Sequence, residues 1–218
     1  MKKQKFFCSF SGGKDSCFAL YRALQKGDCP EQLLTMFNEE GNRSRSHGIG
    51  AELVESQAES LDIPLTIASA SWQNYEDVFV QHLREFREMG IEVGVFGDID
   101  LPEHREWCVR VCQEAGMKAH HPLWGRDRED VLEEFVEVGF ESVVVAVKNE
   151  LLGEDYLGRT FDHQLIDELK SEGVDPCGEK GELHTLVVDG PLFNHPLDVT
   201  VGNIKRDGDH SFCEIDLS

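Results

Sequence analysis

The segment Phe6–Ser16, with the sequence FFCSFSGGKDS, decides the fold. Residues 6–10 predict a buried β-strand that ends in a glycine turn. Residues 16–26 predict the helix that follows, because their apolar side chains recur at helical spacing. A strand that passes through a glycine turn directly into a helix indicates the first unit of an α/β domain.

The same alternation continues through the first half of the chain. Further strands are predicted over residues 33–37, 65–68, 93–96 and 117–120, and further helices over residues 49–61, 74–89 and 103–115. Strands and helices that alternate in this way predict a doubly wound parallel sheet with helices on both faces. Ligands then bind beyond the carboxyl ends of the strands.

The second half of the chain changes character at Pro122-Leu123-Trp124-Gly125. It predicts a helix around residues 131–138, a strand over 142–147, a helix over 161–172 and a hairpin over 197–217 that turns at 206–209. We therefore predict an N-terminal α/β domain over residues 1–121. A smaller C-terminal α+β domain over residues 122–218 is expected to pack against it.

The composition narrows the class of protein. The chain of 218 residues carries 42 acidic and 21 basic side chains, a formal net charge of −21. Such a surface repels a phosphate backbone, so no nucleic-acid partner is expected. No apolar run approaches the ~20 residues of a membrane span, and the apolar stretch after the basic residues 1–5 is too short for a signal peptide. The seven cysteines show no paired framework, so we expect a cytoplasmic protein with reduced thiols and no membrane partner.

The glycine turn contains the residues for binding a phosphate group. It comprises Ser11, Gly12, Gly13, Lys14, Asp15 and Ser16. The two glycines let backbone N–H groups approach an anion, and the helix N-terminus adds unpaired donors. Lys14 supplies a positive charge, the two serines supply hydroxyl groups, and Asp15 can hold Mg²⁺. This is not a Walker A loop, because Asp15 stands where that motif has Ser or Thr. The structural alternative is a glycine turn capped by polar side chains.

The turn resembles the phosphate loop of the N-type ATP pyrophosphatases, the PP-loop enzymes, whose nucleotide-binding fold is of the adenine nucleotide alpha hydrolase (HUP) type. A second stretch is more specific: residues 178–185 read GEKGELHT, and residues 189–193 read DGPLF. With residues 122–125 and 157–159 (LGR), these stretches resemble the diphthine–ammonia ligase family over nearly the whole chain. In that family ATP adenylates a carboxylate on a modified histidine of elongation factor two, and ammonia converts it to an amide.

The resemblance implies roles for individual residues. ATP would be bound by residues 11–16 and Phe37, and Mg²⁺ by Asp15. The acceptor and ammonia would be bound by His47 and Arg105 of the N-terminal half and by Gly178, Glu179, Gly181, Glu182 and Thr185 of the second signature. Lys14, Asp15 and Glu182 would carry the catalysis, with Glu182 as a general base. As loop residues, Lys14 and Asp15 are expected to be exposed.

Several alternatives stay open on the sequence alone. The turn over residues 178–182 could be only a solvated acidic turn before a strand. Trp124 could stack on a ligand or pack between domains. Cys177 is expected to be a buried thiol without a covalent role. His120 and His121 are not expected to form a metal pair, because adjacent residues at a strand end point to opposite sides.

The predicted partners are ATP, ammonium and an acceptor carboxylate, either on a protein similar to elongation factor two or on a small molecule. The oligomeric state is left open, with a homodimer as one expectation. Two other functions remain: a tRNA-modifying PP-loop ATPase, and a non-catalytic ATP-binding sensor.

Overall fold

The computed structural model describes residues 3–45 and 47–218; Met1 and Lys2 of the basic N-terminal stretch, and Ser46 of the polar segment after the second strand, lie outside the described residues. The first sheet is parallel and has the strand order β3-β2-β1-β4-β5. Its strands are β1 (Lys5–Ser9), β2 (Cys29–Phe37), β3 (Leu65–Ser69), β4 (Val93–Val95) and β5 (Lys118–His120). This topology confirms the predicted α/β fold class.

Helices cover both faces of the parallel sheet. They are α1 (Lys14–Gln25), α2 (Ala51–Leu61), α3 (Tyr75–Glu88) and α4 (Pro102–Glu114). Side chains of a strand alternate between its faces, and β1 shows this directly. Phe6 and Cys8 belong to the core that contains α1 and α2, whereas Phe7 belongs to the core that contains α3 and α4.

The second sheet is antiparallel and has the strand order β7-β6-β9-β8. Its strands are β6 (Glu141–Lys148), β7 (Leu183–Asp189), β8 (Val199–Asp207) and β9 (His210–Leu217), accompanied by α5 (Arg128–Glu137), α6 (His163–Ser171) and a 3₁₀ turn at Glu154–Tyr156. Strands β8 and β9 form the predicted hairpin. Phe18 on α1 meets Phe135 and Phe140 edge-on at 6.0 and 6.3 Å, which joins the two halves in one core. The division at residues 121 and 122 stays a prediction.

Strand β2 begins at Cys29, four residues before the predicted start. Because Pro30 lacks an N–H group and cannot donate to a neighbouring strand, the sequence favours a later start. The register with β1 shifts there, with Phe6 opposite Pro30 and Phe7 opposite Gln32. A bulge of this kind accommodates the proline without ending the pairing. Within residues 3–45 and 47–218, none of the helices has the length and apolar character needed to cross a membrane.

Candidate active site

A cavity of about 620 Å³ opens at the carboxyl ends of β1, β2 and β4. In the sheet, β2 and β3 lie on one side of β1, whereas β4 and β5 lie on its other side, so the direction of the strand order switches at β1. Open α/β sheets bind ligands at this switch of direction. The turn after β1 and the second predicted signature, far apart in the sequence, both contribute to the lining.

The turn after β1, residues 11–16, is held in shape by its own hydroxyl groups. The Ser16 hydroxyl donates to the Gly13 carbonyl at 3.0 Å and accepts from the Ser11 N–H at 3.3 Å. Gly12 has a φ of +79°, a conformation that side chains with a Cβ disfavour. Because α1 begins at Lys14, two residues before the predicted start, the first N–H groups of α1, which have no partner within the helix, lie within the turn itself. This geometry suits an anion.

Lys14 is buried, with 5% of its surface exposed, which corrects the expectation of an exposed loop residue. Its ammonium donates to Asp15 at 2.8 Å and to the carbonyl oxygen of Cys177. Burial alone would lower the pKa of Lys14, but Asp15 and the other nearby acidic groups outweigh it and raise that pKa. Lys14 therefore remains a cation at neutral pH. Asp15 faces the cavity with its side chain about one third exposed (33%).

Strand β7, which belongs to the second sheet, forms hydrogen bonds with the turn after β1. Thr185, which is buried, accepts the Lys14 backbone N–H on its hydroxyl at 3.1 Å, and its carbonyl oxygen lies 2.9 Å from Nδ1 of His47. Two residues further along β7, the Val187 N–H donates to the Gly12 carbonyl oxygen at 2.9 Å. The Thr185 side chain thus positions the turn after β1, and its predicted contact with the acceptor stays a prediction.

Replacing Gly13 with alanine is expected to displace this turn. A methyl group there would collide with Cε1 of His47 and would lie 2.9 Å from the Thr185 carbonyl oxygen. We expect a loss of roughly 1–3 kcal/mol in the free energy of unfolding, measured in urea, and weaker ATP binding.

Gly50→Ala is the matched control, because Gly50 is also the N-cap of a helix with extended backbone and its added methyl group meets nothing within 4 Å. Equal losses in the two variants would contradict the steric explanation.

Of the two glutamates in the second signature, Glu179 lines the cavity. Burial first, and then the charge of Asp15, raise the pKa of Glu179 to about 7. Glu182 is 7% exposed and accepts the Lys180 backbone N–H at 2.9 Å, so its carboxylate faces its own turn. Gly178 sets this arrangement with a φ of +71°, where an added Cβ would lie 2.6 Å from the Leu183 carbonyl oxygen. The structure thus places Glu179, not Glu182, beside the phosphate turn.

Two histidines close one side of the cavity. The rings of His47 and His184 lie 4.7 Å apart, and both residues line the cavity. Burial lowers the pKa of His47 to about 4 and lowers the pKa of His184 well below its usual range. Both imidazoles are therefore neutral at pH 7 and act as hydrogen-bonding groups instead of cations.

Two other predicted residues lie away from the lining. Phe37 is completely buried in the core (0% exposed), and its neighbour Met36 lines the cavity instead. Arg105 directs its guanidinium over the ring of Trp124 at 4.8 Å. That contact indicates packing for Trp124.

Arg45 is a cavity residue that the sequence did not point to. Its guanidinium lies 4.2 Å from the ring centre of Trp72 and 5.5 Å from that of Tyr75, and it donates to the Ala70 carbonyl oxygen. Trp72 is 80% exposed, so this cation stands at the rim. It brings a positive charge into the lining, which suits a polyphosphate.

Family models match nearly the whole chain. The model for the diphthamide synthase N-terminal domain matches residues 4–119, and the model for its C-terminal domain matches residues 127–218. The chain belongs to the diphthamide synthase family. Its fold class and the predicted reaction class, that of an ATP-dependent amide ligase, are confirmed by this membership together with the relatives that follow.

Curated relatives carry the name diphthine–ammonia ligase. The Homo sapiens protein is 28% identical over 237 residues, which cover 94% of this chain and 86% of the relative. The Schizosaccharomyces pombe protein is 26% identical over 225 residues, which cover 93% of this chain but only 37% of the relative's length. A solved structure titled a predicted subunit of a tRNA methyltransferase from Methanocaldococcus jannaschii has a TM-score of 0.45 and 16% identity, and it covers 86% of this chain and 98% of its own. That score is too low to bear on function.

Proposed function

We propose that this member of the diphthamide synthase family uses Mg·ATP to adenylate a carboxylate on a protein acceptor, and that it converts the acyl-adenylate to an amide with ammonia. One observation carries the proposal. The phosphate-binding turn and the glutamate turn come from different sheets, yet Asp15 and Glu179 line the same cavity. The Lys14 ammonium links the two turns by donating to the Cys177 carbonyl oxygen.

The triphosphate would lie over the N-terminus of α1. The backbone N–H groups of Asp15 and Ser16 and the Lys14 cation would stabilise its charge there, and Arg45 would add a cation from the rim. The adenine would lie against β2, where Met36 faces the cavity. Phe37 would support that strand from the core side.

Asp15 fits a magnesium ion that accompanies ATP. Mg²⁺ takes oxygen ligands and is commonly held by one or two carboxylates together with substrate phosphates. The Asp15 carboxylate is partly exposed at the phosphate turn, so it can supply one such oxygen. When bound, the ion neutralises the negative charge of the polyphosphate.

The reaction has two steps. An oxygen of the acceptor carboxylate attacks the α-phosphorus, and the bond to the leaving pyrophosphate breaks. Ammonia then attacks the acyl carbon, the bond to AMP breaks, and the nitrogen loses a proton. Glu179 would take that proton; it lines the cavity, and its raised pKa suits a base at neutral pH. Glu182, predicted for this role from the sequence, would instead hold the shape of the turn.

The direct test is ammonium-dependent release of AMP and pyrophosphate in the presence of candidate acceptors, with diphthine-bearing elongation factor two in the panel. Release of both products, with transfer of nitrogen to the acceptor, supports the proposal. ATP that binds without cleavage in every combination would favour the sensor. Tight binding of tRNA at low salt would favour the tRNA-modifying enzyme, against the expectation from a net charge of −21.

The rate of amide formation should depend on pH through Glu179. The pKa of Glu179 is raised to about 7, so its basic form grows as the pH rises through that value. We expect the rate to increase about tenfold per pH unit below pH ~7 and to level off above it.

Total ammonium has to be adjusted at each pH so that free ammonia stays constant, since ammonia itself forms as the pH rises. A profile that is flat between about pH 6 and about pH 8 under those conditions would contradict the role of Glu179.

A further inference from the structure

Three side chains with different ligand atoms meet beside the cavity, beyond the end of β4. The carboxylate of Asp98, the thiol of Cys108 and Nε2 of His121 all lie within 4.8 Å of one another. Cys108 Sγ and His121 Nε2 are each 3.6 Å from Oδ2 of Asp98. Tetrahedral zinc, with bonds of about 2.0–2.3 Å, holds neighbouring ligand atoms roughly 3.3–3.8 Å apart. Two of the three atom pairs therefore have the spacing of neighbouring zinc ligands.

His121 supplies an independent observation. Its side chain is 5% exposed, and its Nε2 is buried without a hydrogen-bond partner. A buried polar atom of this kind is costly unless something pairs with it. The ring stacks on Phe96, with centroids 5.3 Å apart and planes inclined by 22°, which directs Nε2 at Asp98. A metal ion at the cluster would satisfy this nitrogen.

The neighbouring histidine shows that this orientation is specific. His120 turns away, with Nε2 lying 3.2 Å from the ammonium of Lys26. The two side chains therefore have different neighbours, because adjacent residues at a strand end point to opposite sides. His121 instead joins ligands from the turn after β4 and from α4.

The surroundings suit a metal ligand set. Nδ1 of His104 lies 3.5 Å from Oδ1 of Asp98, so it can orient the carboxylate from outside the cluster. Cysteine binds a metal as the thiolate, so metal uptake should release the Cys108 proton.

We propose that Asp98, Cys108 and His121 bind one zinc ion. A mixed set of oxygen, sulfur and nitrogen ligands favours zinc over magnesium or calcium, which select oxygen. Three protein ligands would leave one coordination position open, and two of them, Asp98 and Cys108, line the cavity. The site also adjoins the phosphate turn: an added Cβ on Gly97 would lie 2.8 Å from the backbone carbon of Asp15. The site is independent of which acceptor the enzyme uses.

The test is zinc binding by the full chain, followed by metal analysis after dialysis and by calorimetry. We expect one zinc per chain in the unaltered protein and at least a ~100-fold loss of affinity in Cys108→Ala and in His121→Ala. Cys112→Ala and His120→Ala are matched controls. Cys112 is a second buried thiol one turn further along α4, and His120 is the adjacent imidazole. Both controls should keep the metal.

Two measurements on the unaltered protein do not depend on how the variants fold. Added zinc should raise its melting temperature. Cobalt in place of zinc should give a thiolate-to-cobalt absorption band, which Cys108→Ala should lack and Cys112→Ala should retain. Failure of the unaltered protein to retain zinc, or equal zinc content in all four variants and the unaltered chain, would overturn the site. Neither result would bear on ATP cleavage, which the product assay measures separately.

Discussion

Replacing Lys14 with glutamine is expected to lower kcat/KM for ATP cleavage by roughly 30- to 1,000-fold, the effect of removing ~2–4 kcal/mol of transition-state stabilisation. The ammonium of Lys14 is the buried cation of the phosphate turn, and its raised pKa keeps it charged. Glutamine can still donate to the Cys177 carbonyl oxygen, so it tests the charge with less damage to the fold than alanine. Asp15→Asn should cause a similar loss through the weaker binding of Mg²⁺. Steady-state release of pyrophosphate measures both.

Lys26→Gln is the control for a general effect of lost charge. Lys26 follows the last residue of α1, at the opposite end from the turn, and contacts His120. It should keep near-normal activity. Urea unfolding of all three variants separates catalytic loss from unfolding, which matters because Lys14 is buried. Near-normal turnover in both Lys14→Gln and Asp15→Asn would contradict the assignment of the ATP site to this turn.

The fold could be predicted from the sequence because its signals are local. Apolar periodicity located all four helices of the first sheet and the hairpin of the second, within a few residues of the observed bounds. The observed elements differ from the predicted ones where a long-range contact determines the local structure or where an element is very short. Pro30 enters β2 only because β1 pairs with it across a bulge. The 3₁₀ turn at Glu154–Tyr156 is too short for a periodic signal.

The turn over residues 11–16 could be located from the sequence for the same reason, since its six residues are contiguous; its phosphate-binding role stays a prediction. The contacts that hold this turn in place could not be predicted, because Lys14 and Thr185 are 171 residues apart in the chain. The choice between Met36 and Phe37 depends on which face of β2 meets the cavity, and only the packed sheet fixes that. Arg45 gave no signal, because its neighbours in sequence do not reveal the aromatic rings that surround it.

The cluster of Asp98, Cys108 and His121 shows the same limit more sharply. These residues follow β4, lie within α4 and follow β5, with no ligand spacing along the chain. The parallel order of β4 and β5 brings the two strand ends together, and α4 crosses between them. Chemistry that depends on strand order becomes visible only once the topology is known.

The last prediction concerns the two glutamates of the second signature. Glu179→Gln should lower the rate of ammonium-dependent amide formation by about 10²- to 10⁴-fold, the usual contribution of a general base. Affinity for Mg·ATP should change little, because the amide is isosteric and the Lys14 contacts remain. Glu182→Gln is the matched comparison, since its amide oxygen can still accept the Lys180 N–H and hold the turn.

Two assays separate the steps of the reaction. Exchange of labelled pyrophosphate into ATP reports adenylation, and release of AMP on addition of ammonium reports amidation. If Glu179 is the base, Glu179→Gln should keep the exchange and lose the release, while Glu182→Gln keeps both. The opposite pattern would return the role to Glu182, as the sequence alone predicted. A collapse of ATP affinity in Glu179→Gln would instead place Glu179 on the nucleotide side, next to Asp15, whose charge already raises the pKa of Glu179.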